Sequence, residues 1–215
     1  MTQVAVISGG SGGLGQAIGS RLAGAGYEVH SWSRSDGVDA SDEASVEAAA
    51  SGLGRFDVLI NNAALLINCP FAELAASDWD AVLNAGLRSA FLCSRAAFRR
   101  MQPGARIVMI SSLSGVAGTE KFPGMAAYVA AKSGLAGLIE VLAVEGRPLG
   151  IRVNGVSPGA IRTPMLRLSG APSEPALEPD QVAGVVAYLA SPESAPLTGA
   201  NLRIDPPPPP PPAGP

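Results

Sequence analysis

Cysteine and histidine are almost absent: there are two thiols, Cys69 and Cys93, and one imidazole, His30. Two thiols cannot make a disulfide framework, and none of the three residues has metal-ligand spacing, which argues against a zinc site and against Ser-His catalysis. Charge is sparse as well. Charged residues make up 15 % of the chain, the formal net charge is −3, and no Lys/Arg run occurs. The electrostatic footprint that nucleic acid or an anionic membrane selects is missing, so neither is an expected partner. Unbroken apolar runs are much shorter than the ~20 residues of a spanning helix. No charged segment followed by an apolar one opens the chain, and the expectation is a cytoplasmic protein.

Apolar residues, by contrast, make up 47 % of the 215 positions, enough for one sizeable core. Short β-branched runs (VAVIS, YEVHSW, FDVLI, RIVMIS, IRVNGVS and a last one at 201–204) alternate with helical patterns over roughly 13–25, 44–51, 77–101, 125–145 and 179–190. That alternation predicts an α/β fold, a doubly wound and mostly parallel sheet covered on both faces, in a single domain over residues 1–205. Ser77, followed by Asp78 and Asp80, is the expected N-cap of the third helical segment. The tail PPPPPPPAGP, residues 206–215, cannot join helix or sheet ladders. It reads as extended polyproline II or disorder, either a solvated terminus or a ligand for a proline-recognising partner.

Glycine is concentrated in one stretch. Ser8 to Gly15 read SGGSGGLG, five glycines in eight positions, between the first apolar run and the first helical one. So bare a turn lets backbone N–H groups, backed by the helix dipole, face a bound phosphate at close range. Taken alone it could equally be a merely flexible loop. Further motifs follow in order: NNAA at 61–64, SSLSG at 111–115, YVAAK at 128–132 and NGVSPGAIRTPM at 154–165. With the SG-xxx-GLG spacing of Ser8, Gly9, Gly13, Leu14 and Gly15, this series resembles the classical short-chain dehydrogenase/reductase family. The family patterns are TGxxxGxG, NNAG, a serine after the fifth strand, YxxxK and N-x-V-x-PG-x-I-x-T. The resemblance spans about residues 3–205 and implies a Rossmann-type fold.

Tyr128 and Lys132 lie four apart on a predicted helix and so project from one face. A phenol of pKa ~10 is a poor acid or base at neutral pH, and a neighbouring ammonium is expected to lower that value. Tyr128 is thereby a candidate general acid/base. The resemblance assigns it proton transfer to or from a substrate oxygen. It gives Lys132 the nicotinamide ribose as well as the tuning of Tyr128, and gives carbonyl orientation to Ser112, three residues before Gly115.

The resemblance also implies a bound dinucleotide. In the glycine loop it would be held by Ser8, Gly9, Ser11, Gly12, Gly13, Leu14 and Gly15. Asp39, Asn61 and Ala63 would lie around the adenine, Tyr128 and Lys132 at the ribose, and Pro158, Gly159, Ile161 and Thr163 beside the nicotinamide. Relatives that use NAD(H) usually carry a carboxylate at the end of the second strand, where this chain has Ser33 and Arg34. A guanidinium offers a permanent charge and several donors to a ribose 2′-phosphate, so NADP(H) is expected over NAD(H), with Asp36 standing close by.

Four departures from the pattern stand out. Aligning WDAVLNAGLRSAF with the family's W-x-x-x-x-x-x-N-L-x-x-x-F puts Gly86 where the catalytic asparagine normally sits. Relatives use that asparagine, partly through its main-chain carbonyl, to hold a water that links the lysine to solvent. Asn84 is not expected to replace it, because two residues along an α-helix turn about 200°. Next, only about four residues separate Arg34 from Val38 and Asp39, whereas a parallel crossover needs a dozen or more. The helix between the second and third family strands is therefore expected to be deleted, with the strand at Val38 and Asp39 vestigial. The segment from Thr163 to Pro179, where many relatives carry a longer lid, is short, which suggests a shallow or open pocket suited to a large or carrier-bound substrate, or one closed by a neighbouring subunit. Finally, Ala64 replaces a glycine, and Asp205-Pro206 stands where a glycine pair is usual.

The implied activity is hydride transfer between a nicotinamide and a small carbonyl or secondary-alcohol substrate, in a homodimer or homotetramer paired through the two long helices. Two other readings stay open. Gly86 and the trimmed lid suit a dinucleotide-binding regulatory or scaffold protein without turnover, and the same fold can host a non-redox dehydration or ring closure. His30 and Cys93 read as structural residues, and Cys69 beside Pro70 as a candidate for the rim of the site.

Overall fold

The computed structural model describes residues 2–170, 172 and 174–206. Its strands are β1 (Val4–Ser8), β2 (Glu28–Trp32), β3 (Val58–Asn61), β4 (Arg106–Ile110), β5 (Arg152–Pro158) and β6 (Asn201–Ile204). All pair in parallel, in the order β2-β1-β3-β4-β5-β6. The helices are α1 (Gly13–Gly24), α2 (Glu43–Leu53), α3 (Ala76–Leu83), α4 (Ser89–Phe98), α5 (Ala126–Gly146), α6 (Pro164–Leu168) and α7 (Pro179–Ala190).

β3 and β4 are buried at every residue, which is why they read as unbroken apolar runs rather than as an alternation. Successive side chains feed opposite layers. Ile7, Ile60 and Val108 meet Ile18 and Leu22 of α1 and Val182, Val186 and Leu189 of α7 on one face. On the other, Leu59, Ile107 and Met109 meet Val46 of α2, Leu92 of α4 and Leu135 and Ile139 of α5. Trp32 and Phe56 close that layer edge to face, with ring centroids 5.8 Å apart.

The predicted strand at Val38 and Asp39 is absent, and β2 forms the sheet edge. After β2 the chain makes one 3-10 turn over Arg34–Asp36, passes Gly37 at φ +82°, and folds the Val38 N–H back onto the Ser33 carbonyl at 3.0 Å. Residues 33–42 then lead straight into α2, which the Asp42 side chain caps by accepting from the Ser45 N–H at 2.7 Å. No crossover helix fits in so few residues.

Three expectations need correction. The single helix over 77–101 is α3, a π turn at Asn84–Arg88, and α4. Ser77 does not cap it: extended Ala75 does, with no side-chain bond, and Ser77 lies inside the first turn with Asp78. One segment, α5 with its 3-10 extension over 126–149, is long and apolar enough to cross a membrane, although no unbroken run suggested it. Its few polar residues, such as Lys132 and Glu140, interrupt the run without lowering its mean hydropathy below that of a span. In the fold this helix lies on β5 and carries Lys132 to the cleft. Of the proline tail, Pro206 packs against Gly159, and residues 207–215 lie outside the described set.

Candidate active site

The strand order reverses at β1, and a cleft of about 800 Å³ opens at the carboxyl ends of the strands there. It runs from residues 32–41 after β2, across the glycine loop, to Ser112, Tyr128 and α6. Close approach explains two of the glycines. Gly9 has φ +66°, and a Cβ on it would come 2.8 Å from the Ala63 Cα; a Cβ on Gly15 would come 2.4 Å from the Gly9 carbonyl oxygen. Gly12 is the N-cap of α1 and, as a glycine, offers no side-chain cap, so among the described residues the first-turn N–H groups face the cleft as anion donors. This cradle fits a dinucleotide pyrophosphate.

Gly9, Ser11, Gly12, Gly13, Leu14, Gly15, Ser33, Arg34, Asp39 and Ala63 line the cleft as expected, as do Ser112, Tyr128, Lys132, Pro158, Gly159, Ile161 and Thr163. Ser8 and Asn61 do not. Ser8 is fully buried, and its hydroxyl accepts from the Asn62 and Ala63 N–H groups at 3.1 and 3.2 Å, so it braces the loop from behind. Asn61 is 3 % exposed and donates to Ser94 Oγ at 2.9 Å inside the core. Side chains alternate along an extended strand, so the next residue, Asn62, takes the cleft wall and donates to the Gly9 carbonyl at 2.9 Å.

At the far end Arg34 is exposed, makes no ion pair among the described residues, and is flanked on the wall by Ser33 and Ser35. Asp36 is turned away: its carboxylate accepts from Ser31 at 2.6 Å and from Ser33, and these bonds hold its pKa below the usual range. Asp39 is lowered in the same way, by the Ser41 hydroxyl and N–H at 2.6 and 2.9 Å.

Tyr128 and Lys132 do share one face of α5, with the ammonium 5.6 Å from the centre of the phenol ring. The expected lowering of the phenol does not follow. Burial pushes Tyr128 up to about 12, against the opposing hydrogen bond of Ser112. Lys132 is itself 2 % exposed and pushed down to about 8, and its Nζ donates to the Ile110 carbonyl at 2.7 Å. Desolvation disfavours both charged forms and outweighs their mutual attraction. Ser111, beside Ser112, is structural and donates to the Lys132 carbonyl at 2.9 Å.

Gly86 is buried in the π turn, and a Cβ there would lie 3.4 Å from that of Ala131. The Ser89 hydroxyl lies 2.6 Å from the Ala85 carbonyl and 3.1 Å from that of Gly86, with one proton to give. Asn84, set aside on α-helical geometry, lines the cleft with Ala85 and Ser89, because the backbone here is not α-helical. The lid is α6 and the chain after it, joined to the sheet side by Arg162 N–H to Leu177 O and Leu177 N–H to Ala160 O at 2.9 and 2.8 Å. Arg162 also pairs with Glu178 at 2.7 Å and with Glu174. Asn68, which no sequence motif marked, donates to the Ser169 carbonyl at the end of α6. Cys69 does not line the cleft, His30 pairs with Glu28 at 2.9 Å, and Cys93 is buried with its thiol pushed up to about 12.

A family model described as Enoyl-(Acyl carrier protein) reductase matches residues 37–206. Acetoacetyl-CoA reductase of Allochromatium vinosum is 32 % identical over 243 aligned positions, covering 95 % of this chain and 98 % of the relative. The 3-oxoacyl-(acyl-carrier-protein) reductase of Synechocystis is also 32 % identical, over 94 % of this chain and 95 % of its own length. Among solved structures, a short chain dehydrogenase from Burkholderia cenocepacia in complex with NADP superposes with a TM-score of 0.86 at 30 % identity, over 94 % of this chain and 96 % of the other. Joined to the six-stranded parallel sheet and its cleft, these matches show that the chain belongs to the classical short-chain dehydrogenase/reductase family and is an oxidoreductase.

Proposed function

We propose that this protein is an NADP(H)-dependent oxidoreductase that interconverts a carbonyl and a secondary alcohol, with Tyr128 as general acid/base. The observation that carries the reading is the convergence of Ser112, Tyr128 and Lys132 on the wall of one cleft whose other wall is an uncapped helix N-terminus. When bound, NADP(H) supplies or accepts the hydride. In the reductive direction Ser112 holds the carbonyl oxygen, and Tyr128 gives that oxygen its phenolic proton as the carbon–oxygen π bond opens and the hydride adds to carbon. A phenol raised to about 12 keeps its proton at neutral pH, as the donor in that step must. Lys132 is placed to stabilise the phenolate left behind and to hold the nicotinamide ribose. The Allochromatium and Synechocystis relatives are named acetoacetyl-CoA reductase and 3-oxoacyl-(acyl-carrier-protein) reductase, which supports a carbonyl substrate.

The preference for NADP(H) over NAD(H) rests on Arg34, with Ser33 and Ser35 beside it, and on the turning of Asp36 toward Ser31 and Ser33. The Burkholderia structure holds NADP. The reading extends to a cytoplasmic homodimer or homotetramer, for which Phe91 of α4 and Val141 and Val144 of α5 offer exposed apolar surface. A second reading, a dinucleotide-binding protein without turnover, is favoured by one observation: the π turn carries Gly86, which has no side-chain amide, where relatives carry the asparagine.

Titration with NADPH and NADH, followed by nicotinamide fluorescence at fixed salt, tests the cofactor assignment. NADPH should bind the more tightly, and Arg34→Ala should weaken it by roughly 10- to 100-fold, the loss of a charge-assisted phosphate contact, while leaving NADH nearly unaffected. Equal binding of both dinucleotides, unchanged in the variant, would contradict it.

A further inference from the structure

We propose that the substrate end of the cleft selects a carbonyl flanked by uncharged, apolar groups and rejects one with a carboxylate on the adjacent carbon. This rests on the oxidoreductase reading above. Beyond Tyr128 the wall is made by Ala64 and Leu65 after β3, Ile161 after β5, and Pro164, Met165 and Leu168 of the lid. Among the described residues the cleft has three charged lining side chains. Arg34 and Asp39 stand at the opposite end, and Lys132 is buried behind Tyr128, with one N–H given to the Ile110 carbonyl and the others, in the reading above, to the phenol and the ribose. Residues 171 and 173, outside the described set, are alanine and serine.

The nearby cations Arg162, Lys121 and Arg167, the last exposed on α6, are not among the residues that line the cleft. Arg162 is held by Glu174 and Glu178, and Lys121 donates to the Val116 carbonyl at 2.6 Å and to Thr119 at 2.7 Å. A carboxylate next to the reacting carbon would therefore lose water against Leu65 and Met165 and gain no partner. An alkyl or ester group would gain contact instead. The apolar surface continues outward. Leu168 is 60 % exposed, and Phe71, 77 % exposed, stands three residues from Asn68, which is bonded to the Ser169 carbonyl next to Leu168. A chain leaving the reacting carbon thus passes Leu168 on its way to solvent.

The test compares methyl 2-oxooctanoate with 2-oxooctanoate, which share a chain and differ in charge and in activation of the ketone, as substrates of the full-length protein with NADPH, and repeats the pair on Met165→Arg, where the difference in activation is the same. The ester is expected to show kcat/KM higher on the order of 100-fold. Met165→Arg, which places a cation on the lid wall, should narrow that ratio about tenfold by lowering KM for the acid. Turnover of the acid equal to or better than that of the ester would overturn the inference and leave the oxidoreductase reading standing. Bound NADPH with no reduction of either compound would overturn both.

Discussion

The side-chain amide of Asn68 donates to the carbonyl of Ser169 at 2.5 Å, and so ties the loop after β3 to the end of the lid helix α6. The same amide reaches the Pro123 carbonyl, on the segment before α5, at 3.4 Å. The fit around it is close. Gly124 and Gly170 both have positive φ, and a Cβ on them would come 2.2 Å from Asn68 Oδ1 and 2.9 Å from its Nδ2. Asn68→Asp keeps the shape but removes the donor and sets a carboxylate against two carbonyls. The expected outcome is a looser lid: KM for substrate raised roughly tenfold with little change in kcat, as for loss of one hydrogen bond with like dipoles left facing. Faster limited proteolysis within residues 163–178 would accompany it, and an unchanged KM would show that the lid does not depend on this bond.

Gly15 is a sharper case. Its Cβ position lies 2.4 Å from the Gly9 carbonyl oxygen and 2.8 Å from the Gly10 Cα, both backbone atoms that no rotamer can clear. Gly15→Ala must push the loop off the helix end, destabilising the fold by about 1–3 kcal/mol. NADPH affinity should fall by about tenfold or more, because the N–H donors lose their alignment. Gly24, on the same helix and with nothing within 4 Å of its Cβ position, offers a control in which a Cβ is added without a clash. Urea denaturation and fluorescence titration on the two alanine variants would separate the effects.

Burial of Lys132 sets a pH dependence of stability. Its pKa falls from 10.5 to about 8 in the folded protein, so between those values the unfolded chain binds the extra proton. Stability contributed at this site therefore rises with pH across that window, by about 3 kcal/mol in total. Tyr128 acts in the opposite sense. Raised from 10.0 to about 12, it keeps in the folded state a proton the unfolded chain has lost, and stability falls as pH climbs above 10. Denaturation from pH 7 to 11 should show the wild type gaining on Lys132→Met between pH 8 and 10; a constant difference would place the ammonium in a wetter site.

Much of this was legible in the chain. The apolar runs matched six strands because the central ones, β3 and β4, are buried at every residue between two helix layers, and the half-buried edge strands β2 and β6 keep enough apolar residues to read the same way; α7 was bounded correctly because Pro179 and the polar Asp180 mark its start. The resemblance marked the candidate catalytic and loop residues, and spacing agreed with it, since Tyr128 and Lys132 share a helix face and Gly9 and Gly15 leave no room for a Cβ. What spacing could not show was direction and context. Asn61 and Asn62 are indistinguishable as letters, yet strand alternation sends one to Ser94 and the other to the cleft. The π turn left no mark in the sequence that would have brought Asn84 to the wall. Asn68 owes its role to two segments more than 50 residues away, Pro123 and Ser169. The phenol's pKa was misjudged because a neighbouring charge is visible in YxxxK and desolvation is not.

The central claim is that Tyr128 moves the proton. The most direct test measures NADPH affinity and carbonyl reduction, with methyl 2-oxooctanoate as substrate, for wild type and Tyr128→Phe. The expected result is NADPH binding within about twofold of wild type and a loss of turnover of roughly 10²–10⁴-fold, the usual contribution of a positioned general acid. Turnover in the phenylalanine variant close to that of wild type would contradict the assignment.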